Sequence, residues 1–295
     1  MRWYKMSCSQ TAHFIFVFTH FNFVLSAWVS ILYNIDNMNK KNIAQFPLVS
    51  IIIRTMNDLP RIKRLFKVLK QQDYHGKVEC IVVDTESKDD TVEYALQQGA
   101  KIVKIKQKDF NYPKSLNVGC EVAQGEILIS LVGHALPIKN NWLSSGVENF
   151  VDPKVAGVYG NVIPHKFPEY PQRTWIECLY YWRGFISYFF RIKRNVRKAG
   201  LGILGGTNCA IRKSLWDQHH WNEEWAGGAE DYEWARWALK HDYKIVCDYR
   251  FSVYHSHGLN FRQMIKQNNH WREVQKPSKF NQKNLDFRND LNFSK

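Results

Sequence analysis

The stretch PLVSIIIRTMNDLPRIKRLFKVLKQQDYHGKVECIVVD (residues 47–84) decides the fold. Its first eight residues, PLVSIIIR, are an almost unbroken apolar run, the pattern of a strand buried on both faces in a parallel sheet. Leu59, Ile62, Leu65, Phe66 and Leu69 follow at helical spacing with basic residues between them, which predicts an amphipathic helix. A second apolar run, VECIVVD (78–84), ends on a carboxylate. Together these segments make one βαβ unit.

The same rhythm continues outward. SKDDTVEYALQQGA has acids in its first turn, Ser87 as the expected N-cap and Gly99 as the stop. KIVKI reads as a third strand, PKSLNVGCEVAQG as a helix closed by Gly125, and EILISLV as a fourth strand. Four alternations predict an α/β fold with a mostly parallel twisted sheet and helices on both faces, Rossmann-like in plan. Ligands of such sheets bind at the carboxyl ends of the strands. There the chain places RTMND, DTES and GHALP, after the first, second and fourth strands. No glycine-rich phosphate loop follows the first strand, which argues against a dehydrogenase or a kinase.

Composition narrows the partners. A chain of 295 residues with 45% apolar residues and nine prolines is globular and long enough for a full core. Its 41 Lys and Arg against 27 Asp and Glu give a formal charge of +14, which favours anionic partners such as nucleotides, nucleic acids or acidic lipids. The six cysteines are scattered without a CxxC pair, so they suggest a reducing compartment rather than a zinc cluster. Residues 1–46 differ in character. HFIFVFTHFNFVLSAWVSILY (13–33) has 21 residues without formal charge, enough to span a bilayer. The leader is thus either a single membrane anchor or a misread start upstream of Met38. Residues 274–295 read as a loose polar tail.

The motifs VSIIIRTMNDLPRIKRLFKVLKQQ, CIVVDTESKDDT, SLNVGCEVAQGEILISLVGHALP, LGGTNCAIRKSLW, AEDYEWARWALKHDYKI and VYHSHG come in the order and near the spacings of family 2 glycosyltransferases. Over residues 48–273 the chain resembles that family, and within it the bacterial rhamnosyltransferase-like enzymes of surface-polysaccharide assembly. The resemblance implies a glycosyltransferase-A fold over 47–273, with a nucleotide-binding half (47–137) and an acceptor-binding half (138–273). It also implies inverting transfer from a nucleotide-diphosphate sugar to a hydroxyl of a glycan or lipid-linked saccharide, usually with Mg²⁺ or Mn²⁺.

Carried over residue by residue, Thr55 and Asp58 open the nucleotide pocket, although the family more often has Glu where Asp58 stands. Asp84 resembles the carboxylate that receives the base, with Ser87 and Asp89 completing that loop, and Lys114 and Asn117 match positions near the nucleotide or diphosphate. The chemistry suits these types, because carboxylates accept hydrogen bonds from an imide or a ribose hydroxyl, whereas diphosphate needs cations or N–H groups. Gly205, Gly206, Thr207 and Asn208 match the floor beneath donor sugar and acceptor. The resemblance assigns the base that inverting transfer requires to Asp231, with Glu230 orienting the acceptor or the base.

One motif departs from the family. The acidic triplet that usually ends the fourth strand and holds the metal reads here Val132-Gly133-His134, without either acid. Imidazole suits Mn²⁺ and later ions better than Mg²⁺, and His255 and His257 lie two apart on one face of an extended segment. His134, His255 and His257 are therefore the candidate metal ligands. The alternative is that His134 donates directly to a phosphate oxygen, helped by Lys114.

Residues 173–198 interleave aromatics with arginines and lysines. Such a segment could stack on RNA, lie in a membrane interface or pack on the sheet. A membrane-facing or acceptor-facing role is preferred over nucleic acid, placing the protein on the cytoplasmic face of the inner membrane. Two other functions stay open: a non-catalytic sugar-nucleotide or glycan binder, and a basic RNA-binding protein.

Overall fold

The computed structural model describes residues 46–165, 174–200, 202–225 and 228–273. The expected anchor at 13–33 and the tail at 274–295 lie outside them. Among the described residues no helix is long and apolar enough to cross a membrane.

The chain begins β1 (Val49–Thr55), α1 (Leu59–Leu69), β2 (Val78–Asp84), α2 (Thr91–Gln97), β3 (Lys101–Lys104), α3 (Tyr112–Glu121) and β4 (Ile127–Val132), the predicted alternation. It continues through β5 (Leu136–Pro137), α4 (Trp142–Val147), β6 (Val155–Tyr159), β7 (Val162–Ile163), α5 (Trp175–Tyr180), α6 (Trp182–Phe189), β8 (Lys193–Asn195) and β9 (Asn208–Arg212). After a helical turn at Lys213–Trp216 come α7 (Glu230–Lys240), β10 (Lys244–Asp248), β11 (Val253–Tyr254) and α8 (Phe261–Glu273).

Eight strands form one sheet in the order β3-β2-β1-β4-β9-β6-β10-β8. The first four are parallel, as are β6 and β10, whereas β9 runs antiparallel between β4 and β6 and β8 runs antiparallel at the edge. Strands from both sides of position 137/138 thus share one sheet. A second small sheet, β5-β11-β7, stands beside it.

Alternation along the strands builds two apolar layers. Ile51, Ile53, Val82 and Leu131 pack with Leu65 and Phe66 of α1 on one face, and Ile52, Ile81, Val83 and Leu128 pack with Leu116 of α3 and Trp234 of α7 on the other. Close packing explains Gly119, where a methyl group would lie 2.5 Å from Ile52 Cγ2. Gly160 is more constrained still, because its missing methyl would overlap the Phe251 carbonyl.

Two expected caps move. The second helix starts at Thr91 behind Asp90, not at Ser87, whose hydroxyl instead accepts the Asn57 N–H at 2.8 Å. Gly125 does not close α3, which ends at Glu121; the glycine lies against Ser50 at the foot of β1. The five described cysteines are free thiols, and burial pushes Cys80 and Cys120 up to about 12, so neither is an activated nucleophile.

Candidate active site

The carboxyl ends of β1, β2 and β4 lie along one edge, and β9 and α7 begin there too. Thr55 and Asp84 are register partners at the last rung of β1 and β2. Asp84 is buried; its Oδ2 accepts the Ser87 N–H at 3.1 Å, while Oδ1 and the Thr55 hydroxyl, both buried, have no protein partner. Buried oxygens without partners in adjacent strand ends suit a ligand that brings donors.

The loops after β1 and β2 are stitched together. Lys88 N–H donates to the Asn57 amide oxygen at 2.6 Å, Asp58 N–H to Thr91 Oγ1 at 3.0 Å and Leu59 N–H to Asp89 Oδ2 at 3.2 Å. Ser87 and Asp89 therefore hold the loop in shape. Asp58 pairs with Arg61 at 2.8 Å and its other oxygen lies 3.8 Å from His134 Nδ1. Burial raises its pKa, and Arg61 works against that.

His134 stands one residue beyond Gly133, which lies so near Thr55 that a methyl would come within 3.1 Å of Oγ1. β11 pairs with β5 and β7, and so carries His255 and His257 back to this point. The His134 and His255 rings stack with centroids 4.8 Å apart, and His257 stands edge-on to both. One nitrogen from each of the three lies within 4.8 Å of the others. Three imidazole nitrogens at about 2.1 Å from one ion would lie roughly 3.0–3.4 Å from one another, so the group would have to draw together by up to about 1.5 Å to hold a metal. His255 Nδ1 is buried without a hydrogen-bond partner. Burial, followed by the neighbouring His257 and His134, holds His255 well below the ordinary histidine value, in the neutral form that binds metals. The donor set fits a divalent transition ion.

The third cluster is the acid pair. Gly228 and Ala229 have φ of 110° and 71°, a left-handed approach that starts α7 at Glu230 and Asp231. Asp231 Oδ1 accepts the Tyr232 N–H at 2.7 Å. A methyl at Gly205 would lie 3.7 Å from Asp231 Oδ2, and one at Gly206 would lie 3.4 Å from Glu230 Oε1. Those are ordinary contact distances; the tight neighbour is Arg54 Nη2, 3.0 Å from a methyl at Gly206, and in that turn the positive φ belongs to Gly202 and Leu204. Burial raises both carboxyls, Glu230 further because Asp231 is beside it, while Arg54 opposes the rise in each.

Arg54 was not visible as a site residue in the sequence, where it is only the cation ending an apolar run. Its Nη2 donates to the Gly206 carbonyl at 3.0 Å and its guanidinium lies 5.7 Å from the Tyr112 ring centroid. Ser130 Oγ donates to the same carbonyl at 2.8 Å, so the end of β1 and the middle of β4 together fix the Gly205–Gly206 turn.

The remaining sequence candidates lie at varied distances from this chemistry. Lys114 is half-buried in the first turn of α3, whose start is capped by Asn111. Thr207 accepts the Val132 N–H through its carbonyl, and Asn208 donates to the Phe251 carbonyl. Asn117, expected near the nucleotide or diphosphate, has its side-chain amide engaged within the protein. Its amide donates to Trp221 O and Glu223 Oε1 and accepts from Trp216 Nε1 and Trp221 N, which binds α3 to the segment before α7.

An open α/β sheet with acids, imidazoles and orphaned oxygens at its strand ends defines the class, a glycosyltransferase of the A-type architecture. The chain belongs to Glycosyl transferase family 2, which it matches over residues 50–219. It is 26% identical over 219 residues to the O-antigen chain rhamnosyltransferase RfbN of Salmonella typhimurium, an alignment covering 73% of this chain and 68% of that protein. A shorter match, 42% over 57 residues, links it to 4,4'-diaponeurosporenoate glycosyltransferase of Staphylococcus haemolyticus, covering 19% of this chain and 15% of that one. Among solved structures the fold resembles the mannosyltransferase PcManGT from Pyrobaculum calidifontis in complex with GDP-Man and Mn²⁺, with a TM-score of 0.58 at 17% identity, over 85% of this chain and 71% of that one. It also resembles S. aureus TarS 1–349 in complex with UDP, with a TM-score of 0.51 at 18% identity, over 84% and 72%.

Proposed function

We propose that this enzyme moves a sugar from a nucleotide-diphosphate donor to a hydroxyl of a glycan or lipid-linked saccharide, inverting the anomeric centre, with Asp231 as the base. One observation carries the reading: the Glu230–Asp231 pair, raised by burial, borders the Gly205–Gly206 turn. The acceptor oxygen attacks the anomeric carbon from the face opposite the diphosphate. Its proton passes to Asp231 Oδ2, the oxygen not engaged by Tyr232, as the bond to the diphosphate oxygen breaks. Glu230 orients the acceptor, and Arg54 limits the rise of both carboxyls so that Asp231 is ionised near neutral pH. Asp84 Oδ1 and Thr55 Oγ1 take donors from the nucleoside. A divalent ion on His134, His255 and His257 would neutralise charge on the departing diphosphate. The acceptor class is supported by the relationship to an O-antigen chain rhamnosyltransferase.

The missing acids at Val132-Gly133-His134 favour a second reading, a binder without transfer. Asp231→Asn separates the two. Transfer should fall by about 10²–10⁴-fold, the usual contribution of a positioned base, with nucleotide affinity by thermal shift nearly unchanged. Undiminished transfer removes Asp231 as the base, and nucleotide binding without transfer by the unaltered protein under any divalent ion establishes the binder.

A further inference from the structure

Ten of the fifteen large apolar side chains exposed among the described residues fall on α5, α6, the residue after α6, and α8. Scattered apolar residues are ordinary on a surface, but a concentration of this kind marks an interaction site. Trp175, Trp182, Phe185, Phe189, Phe190 and Phe261 are each between 51% and 71% exposed.

The orientation of α6 is the reverse of a core helix. Gly184 faces inward, so close to β7 that a methyl there would lie 2.9 Å from the Val162 carbonyl, and Ser187 is buried. Trp182, Phe185, Ile186 and Phe189 face outward. A helix that buries its small and polar positions and displays its aromatics has another apolar phase on its outer side.

Charge selects that phase. Between residues 174 and 200 the only acid is Glu177, which is buried and accepts the Thr174 and His257 N–H groups. Arg183, Arg191, Arg194, Arg197 and Lys198 are exposed there, and Arg262 joins them on α8. A second copy docking on this face would bring cation against cation. A bilayer with anionic headgroups takes both components, the aromatics at headgroup depth and the cations against lipid phosphate.

We infer that α5, α6 and the start of α8 form a docking face for an anionic membrane surface. The face is joined to the site. Glu177 in α5 accepts the His257 N–H at 3.0 Å, and Thr174 donates to the Leu259 carbonyl at 2.7 Å. The imidazole group is therefore held at the membrane side of the molecule, where an acceptor carried by a lipid arrives by lateral diffusion. Docking does not depend on sugar transfer, because it is read without substrate.

The test is co-sedimentation of the full chain with phosphatidylcholine vesicles, with and without phosphatidylglycerol, across a salt series. The unaltered protein should bind the anionic vesicles and release as salt rises. Trp182→Ser/Phe185→Ser/Phe189→Ser should weaken binding by roughly tenfold or more, with an unchanged melting temperature because the side chains are exposed. Three results each overturn the inference: equal binding by the triple variant, no vesicle binding together with a dimer that the variant dissolves, or preference for single-stranded RNA over the vesicles.

Discussion

At the scale of single residues, Arg54 is the group through which the acid pair is tuned. It lies at the end of β1, holds the Gly206 carbonyl and lowers both Glu230 and Asp231 against the effect of burial. Replacing it with methionine keeps much of the volume and removes the charge, so both carboxyls should rise further. Because the base works ionised, the acid limb of the pH profile of kcat/KM should move to higher pH, with a lower rate at neutral pH. An unmoved limb would separate Arg54 from the chemistry. Arg54 was hidden in the sequence for a physical reason: an arginine after three isoleucines looks like a strand end meeting solvent, and only the fold shows what it faces. Asp84 and His134 could be placed at strand ends from the apolar runs that precede them, whereas the roles given to Asp84 and Asp231 came from the resemblance to family 2 glycosyltransferases.

At the scale of elements, the first four strands could be read from their apolar runs, since burial on both faces leaves little else for such runs to do. The direction of β9 could not. NCAIR would look the same as a parallel strand, and its place between β4 and β6 is fixed by tertiary pairing rather than by its own residues. The join between α3 and the helical turn at Lys213–Trp216 was equally hidden, because Asn117 meets Trp216 and Trp221 about a hundred residues later. Asn117→Ala would leave those buried tryptophan donors without partners, at about 1–3 kcal/mol for each group left unsatisfied. The melting temperature should fall while nucleotide affinity changes little. The opposite outcome, weaker nucleotide binding with unchanged melting, would return Asn117 to the diphosphate.

At the scale of the whole molecule, Glu230 opposes stability as pH rises. Glu230 is raised in the folded state, so between its unfolded value and its folded one the native protein holds a proton that the unfolded chain has lost, and stability falls as pH rises through that window. Asp248 behaves in the opposite way. Burial raises it, but hydrogen bonds from Arg250 and Asn149 outweigh that and leave it lowered, so its contribution is present at neutral pH and lost only in acid. Glu230→Gln should therefore melt above the unaltered protein at pH 8, and the difference should vanish near pH 4, where both side chains are neutral. A constant difference across pH would show that the gain comes from packing instead.

The position of β9 also matters before the protein is complete. β4 has β1 on one side, but its other edge remains open until residues 208–212 arrive to cover it. At roughly 5–20 residues per second, a ribosome needs about 4–15 s to supply the intervening 75 or so residues. For that interval the nascent chain displays an apolar strand edge, the natural binding target of a chaperone and the place where two unfinished copies would first stick together.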